Sequence, residues 1–273
     1  MLLLTILAPL TNAHDEDLTK PSDKVTDRRF VLGIAASYNR FDTNVKFTNK
    51  EKDISLFIDA EQSLGLPESN VSPMLYGTWR INNKHSMGFN VFRASREGSI
   101  FAVDLDIRDI NVTGNIGMSD KSTFYYMNYG YTFVENPTSR VRGILGLYGV
   151  DLKLGIDAAG TITVKDAPVT SGRYSEELNQ LIPLPIIGLD FFFAATDKWG
   201  LGSRFAFIGG SYSDYSALIV DARIMARYQM SKHVALMTGV NYFNGDIDIN
   251  SEDERWEVRY GYDGVFLGLD FNW

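Results

Sequence analysis

The chain has 273 residues, 45% hydrophobic and 22% charged, which is too apolar for a disordered polymer. A net charge of -8, with no run of four or more basic residues, excludes a nucleic-acid footprint. The absence of cysteine excludes disulfide staples and thiolate metal centres, while 24 glycines and 13% aromatics favour a β-rich architecture.

The amino end reads MLLLTILAPLTNAHDEDLTK. Residues 1–13, apolar and closing on Thr11-Asn12-Ala13, resemble the core and small-x-small cleavage site of a secretory signal peptide. The basic leader of such a peptide is missing, so the natural start is expected a few residues upstream, or the leader was trimmed. The alternative is a short apolar element of the mature fold. Residues 14–28 form a polar stretch, and 29–273 are expected to form one domain. No later stretch carries the ~18 or more apolar residues of a membrane helix. That constrains helices only, because a barrel strand crosses in ~9–11 alternating residues.

From residue 29 onward a two-residue rhythm recurs. In 29–42, Phe30, Leu32, Ile34, Ala36 and Tyr38 oppose Gly33, Ser37 and Asn39. Further strands are expected at 73–81, 86–94 and 122–134. In the last of these, Tyr125, Met127, Tyr129, Tyr131 and Phe133 oppose Asn128, Gly130 and Thr132. In 141–156, Ile144, Tyr148, Val150, Leu152, Leu154 and Ile156 oppose Asp151 and Lys153. In 184–195, Ile187, Leu189, Phe191 and Phe193 oppose Gly188 and Asp190. Strand 200–208 follows. In 216–230, Leu218, Val220, Ala222, Ile224, Ala226 and Tyr228 oppose Asp221, Arg223, Arg227 and Gln229. A helix would mix these two sets on one face. Strands 234–244 and 257–273 complete ten. Two further alternating segments, 52–60 and 100–112, are read as hairpin extensions outside the membrane or as two more strands of a twelve-stranded barrel.

Short turns at 81–86, 135–140, 196–200 and 230–234 alternate with long polar connections at 43–72, 94–121, 157–182 and 245–256. That asymmetry fits a membrane barrel with short turns at one end and long loops at the other. The apolar faces run longer than the ~5–6 residues usual in globular sheets, and aromatics crowd the strand ends as interfacial girdles do. The expected fold is an all-β, transmembrane, antiparallel up-and-down barrel of ten strands, within a range of eight to twelve. Its apolar faces should meet lipid. Asp151, Lys153, Asp190, Arg204, Asp221, Arg223 and Arg227 should then line the lumen, either pairing with one another in a plugged barrel or lining a narrow pore.

The chain ends VFLGLDFNW, with Val265, Leu267, Leu269, Phe271 and Trp273 on one face. This resembles the closing strand of bacterial outer-membrane proteins, which finish on an aromatic preceded by alternating apolar residues. The resemblance implies an outer-membrane location, contact with membrane lipid and lipopolysaccharide, and recognition of this strand by the barrel-assembly machinery. Upstream, Trp256, Val258, Tyr260 and Tyr262 keep the opposite parity. Either a β-bulge near Asp263-Gly264 shifts the phase, or the upper strand stands above the lipid, where phase is free.

Little points to chemistry. His14 lies near the presumed cleavage point, and His85 and His233 sit in short turns beside Lys84 and Lys232. Ser86 beside His85 points to the other face, so it makes no dyad. Asp246, Asp248, Asn250, Glu254 and Glu257 fit positions of a calcium-loop template, but Ser251 replaces the required glycine, so a solvated acidic loop is the better reading. No cofactor, no resident metal and no nucleic-acid partner are expected. The leading function is a non-enzymatic envelope protein, either a narrow channel or a structural or binding protein. The alternatives are an outer-membrane hydrolase acting on lipid or peptide, and a soluble secreted barrel holding an apolar ligand.

Overall fold

The computed structural model describes residues 28–50, 54–107, 110–164, 167–212 and 214–273. The leader-like segment 1–13 and the polar stretch up to residue 27 lie outside them. In chain order the elements are β1 (Phe30–Asn49), β2 (Ile54–Asp59), α1 (Ala60–Leu64), β3 (Ser69–Arg80), β4 (His85–Arg93), β5 (Arg96–Ile107) and β6 (Ile110–Asp120). There follow β7 (Thr123–Glu135), β8 (Ser139–Val164), β9 (Ala167–Ala194), β10 (Trp199–Tyr212), β11 (Tyr215–Gln229), β12 (Val234–Asn250) and β13 (Glu254–Asn272).

Antiparallel pairing runs β1–β3–β4–β7–β8–β9–β10–β11–β12–β13 and returns to β1, a closed ten-stranded barrel. Each of the ten strands expected from the sequence is one stave of this ring. Segments 52–60 and 100–112 add no stave. Strand β2 pairs with the upper part of β1, and the β5–β6 hairpin continues β4 and β7 upward along β8. The connections expected at 43–72, 94–121, 157–182 and 245–256 are largely strand rather than loop. Strands β8 and β9 run for 26 and 28 residues. At ~3.4 Å per residue each spans about 90 Å, far beyond what a bilayer requires.

The four short turns share one device. The side-chain oxygen of Asn82, Asn136, Thr196 or Ser231 accepts the backbone N–H groups two and three residues on. At the same end Phe30 and Trp273 exchange backbone hydrogen bonds, closing the ring where the chain enters and leaves it.

Along β1 and β13 the apolar face changes sides. On β1 the outer face reads Phe30, Leu32, Ile34, Ala36 and Tyr38, then Arg40, Asp42, Asn44, Lys46 and Thr48. The inner face reads Ser37 and Asn39, then Phe41, Val45 and Phe47, all buried. On β13 the outer face passes from Arg255, Glu257, Arg259 and Asp263 to Val265, Leu267, Leu269, Phe271 and Trp273. Pairing of β13 with β1 and β12 stays in register through Asp263 and Gly264, so no bulge exists there. Parity is constant, and the chemistry of each face inverts. The outer apolar belt from Phe30 to Tyr38 is about 30 Å of strand, which tilted matches a hydrocarbon band ~25 Å tall. Above the belt the outer wall of β1, β12 and β13 is polar and the interior is an apolar core. A soluble barrel would wet the outside along its whole length, and the belt does the opposite.

This inversion corrects two expected lumen residues. On β8 the even residues from Arg142 to Ile156 face inward, and Val150, Leu152 and Leu154 are fully buried. Asp151 and Lys153 therefore stand on the outer wall, 3.6 Å from each other. They lie above the belt, where the apolar side is the inside. Lower on the same strand Leu145 and Leu147, also odd, face outward.

Candidate functional site: a cationic lumen under an aromatic layer

Within the belt the lumen is polar, and its charges sit at matching levels on neighbouring strands. Arg142 on β8, Asp190 on β9, Arg204 on β10 and Arg223 on β11 follow one line of register around the wall. Asn241 on β12, Gly264 on β13 and Asn39 on β1 continue it. Asp190 joins two arginines: Arg204 Nε donates to Oδ1 at 2.7 Å, and Arg142 donates to Oδ2 at 2.5 Å. Arg142 also donates to Ser86 Oγ at 2.7 Å. Asp221, one position away from Arg223, completes the ionic group. Gly264 makes room for this layer, since a Cβ there would lie 2.5 Å from Asn39 Oδ1 and 2.2 Å from a backbone oxygen.

A second group lies toward the short-turn end. Tyr76 on β3 donates to Asp270 on β13, and Arg227 Nε on β11 donates to the other oxygen of Asp270 at 2.7 Å. Arg227 also bonds Asn272. The sequence reading placed Arg204, Asp190, Asp221, Arg223 and Arg227 in the lumen. The structure puts their side chains on the inner wall, together with Arg142, Tyr76 and Asp270, which that reading had not singled out. The signal for Asp270 was available, because it alternates with the outward residues of the closing strand.

Above the ionic layer lies a packed set of rings: Phe92, Phe124, Tyr148, Phe243, Tyr260 and Tyr262. Phe243 stacks on Tyr262 at 4.9 Å with 6° between planes, and Tyr262 stacks on Phe92 at 5.0 Å. Phe124 meets Phe243 edge-on at 5.4 Å. These last two come from β7 and β12, which stand opposite each other across the ring, so the contact spans its full width. Offset and edge contacts of this kind add ~0.5–1.5 kcal/mol per pair beyond area burial.

Above the rings, Arg96 organises a gap in the wall. Strands β2 and β5 do not pair, and α1 packs beside the gap with Ala60 and Leu64 fully buried. Helix α1 is capped by Asp59 and ends at Gly65, whose φ of 66° suits a residue without Cβ. Arg96 donates to Glu61 at 2.5 Å, to Asp120 at 2.8 Å and to Thr43 Oγ1 at 2.8 Å. Its guanidinium lies 4.1 Å above the Phe41 ring. Glu61 accepts the Thr43 N–H that the strand gap would otherwise leave without a partner. Tyr260 donates to Asp120 at 2.9 Å. Burial and the adjacent Asp120 hold the Tyr260 hydroxyl well above its ordinary pKa, so it remains a donor. No sequence signal marked this cluster, because Glu61, Arg96 and Asp120 lay in segments read as loops.

The remaining candidates do not converge. Asp246, Asp248 and Glu257 face outward on the β12–β13 ribbon, and Asn250 and Glu254 sit at its tip. Asp246 pairs with Arg259 at 3.0 Å, Asp248 with Arg255 at 2.5 Å, and Glu257 with Lys46. Among the described residues no group of three potential metal ligands occurs. His85 and His233 stand at the short-turn end. His85 contacts the Tyr129 hydroxyl, and His233 Nδ1 lies 3.1 Å from the Asn272 carbonyl oxygen.

No family model and no curated protein sequence matches this chain. Solved structures do. The outer membrane protease OmpT from Escherichia coli superposes with a TM-score of 0.58 at 11% identity, covering 94% of this chain and all of that one. The outer membrane protein OprG from Pseudomonas aeruginosa gives 0.40 at 9% identity, over 90% of this chain and 97% of that one. The CymD monoaromatic hydrocarbon channel gives 0.39 at 9%, over 90% and 89%. The fold is that of the bacterial outer-membrane β-barrels.

Proposed function

We propose that this outer-membrane barrel is a plugged, non-enzymatic structural or binding protein that carries a rigid stalk above the outer leaflet. The observation behind this reading is the Phe124–Phe243 contact, which joins opposite walls within a dry aromatic layer. Barrels of eight strands are filled by their own side chains, and ten strands leave little more width. The short turns and both described ends of the chain lie on one side, assigned to the periplasm by analogy with other such barrels. The long strand extensions then face the exterior, where lipopolysaccharide surrounds their base. The outward face of Val265, Leu267, Leu269, Phe271 and Trp273 is available to the assembly machinery before the barrel closes. Planar-bilayer recording of the purified full-length protein tests the reading. Electrically silent insertion is expected, and a steady single-channel conductance would overturn it.

A hydrolase reading draws no support from the geometry. Both described histidines bond to partners other than a serine or carboxylate, at the end opposite the stalk.

A further inference from the structure

The lumen beneath the aromatic layer holds a cavity of about 180 Å³, room for roughly a dozen waters. Its charge is unbalanced. Arg142, Arg204, Arg223 and Arg227 line its deeper part. The carboxylates beside them among the described residues are Asp190, Asp270 and, next to Arg223, Asp221. One guanidinium is therefore left in excess here, inside a protein whose net charge is -8. Among the described residues, two buried donors lining this space, Nε of Arg142 and Nε of Arg223, have no hydrogen-bond partner. Arg223 otherwise rests against the Phe266 ring at 5.5 Å.

We infer that this vestibule binds a small oxyanion, a phosphate or carboxylate group, admitted from the short-turn mouth. Guanidinium groups present forked donors that match the paired oxygens of such anions. Between protein walls this attraction is stronger than in bulk solvent. A bound anion would neutralise the surplus and supply acceptors to the Nε donors. The wall at this level is continuous paired strand, so a lipid headgroup could enter only by drawing its tails into the lumen. A soluble anion is therefore the ligand. Only the direction of entry rests on the plugged reading. A barrel that conducts yet still binds phosphate would defeat that reading and leave this one standing.

The test uses the full-length protein in a phosphate-free detergent, with inorganic phosphate titrated at constant ionic strength and unfolding temperature as the readout. Stabilisation should saturate with phosphate and be absent with chloride. Arg223→Gln and Arg142→Gln should each weaken it about tenfold or more, the effect of losing a charge-assisted bond. Arg259→Gln, on the outer wall, should leave it unchanged. Asp190→Asn, which releases two arginines, should strengthen it. Heat-modifiable gel migration shows which variants are folded, and either arginine variant alone decides the outcome. Non-saturable stabilisation shared with chloride, or equal losses in Arg223→Gln and Arg259→Gln, would overturn the proposal. So would stabilisation seen only with short-chain phosphatidylglycerol, which would place the site on the lipid-facing wall.

Discussion

The belt and the stalk share β1, β12 and β13, whose parity and pairing run on unbroken from one to the other, yet they are opposite in cross-section. Below Tyr38 and Val265 the outer wall is apolar and the lumen ionic. Above Arg40 and Asp263 the outer wall is charged and the interior is aromatic and aliphatic. Arg40 and Asp263 pair across β1 and β13 at 3.2 Å, at the level of the changeover. Alternation decides which residues share a face. The solvent outside that face decides which set can be apolar. Lipid outside selects apolar residues there and leaves the lumen to paired charges. Water outside reverses the selection, and the upper barrel folds like a soluble one around its own core.

Substitutions can break or sharpen this contrast. The largest effects are expected inside the stalk. Phe243→Ala removes the ring that bridges the two walls, and should cost ~3–5 kcal/mol in denaturant unfolding. It should also convert electrically silent insertions into leaky ones in planar bilayers. Arg96→Met leaves Glu61 and Asp120 buried without their cation, and should cost a similar ~3–5 kcal/mol. Hydrogen exchange should then rise at α1 and β2 before it rises in the belt.

On the outer wall the same change should give different results at different heights. Leu147→Arg faces hydrocarbon and should cost ~2–4 kcal/mol when the protein is folded into vesicles. Asn44→Arg, outward but above the belt, should fall within about 0.5 kcal/mol of the parent. Equal costs for the two would remove the changeover from this level. The smallest effect is expected for Arg40→Gln. Its pair with Asp263 is largely exposed and should contribute no more than ~1 kcal/mol, falling with added salt.

Much of the barrel was legible in the sequence. The ten staves, the four short turns and the lipid-facing tail follow from a period of two that residues 30–38, 216–230 and 265–273 display without interruption. The stalk was harder to read. Segments 43–72 and 245–256 looked like loops because their outward residues are polar, as they would be in a loop. The ionic lumen was only partly legible. Asp190, Arg204, Asp221, Arg223 and Arg227 alternate with apolar residues inside the belt, where the rule that lipid faces the apolar side holds. Asp151 and Lys153 alternate just as cleanly, but they sit above the belt, and the same rule assigns them to the wrong side.

The sequence by itself determined parity, the ten staves and the lipid-facing side of the closing strand, because side-chain direction in a strand is set by the local backbone alone. Only the tertiary structure decided where along each stave the inside becomes the apolar side. That depends on the height of each residue above its neighbours, which comes from the stagger of strands around the closed ring. The meeting of Phe124 with Phe243, and of Arg96 with Glu61 and Asp120, was decided there too. Phe124 and Phe243 lie far apart in the chain, and closure of the barrel is what brings them within reach, whereas Arg96 meets Asp120 across the β5–β6 hairpin and reaches Glu61 on α1.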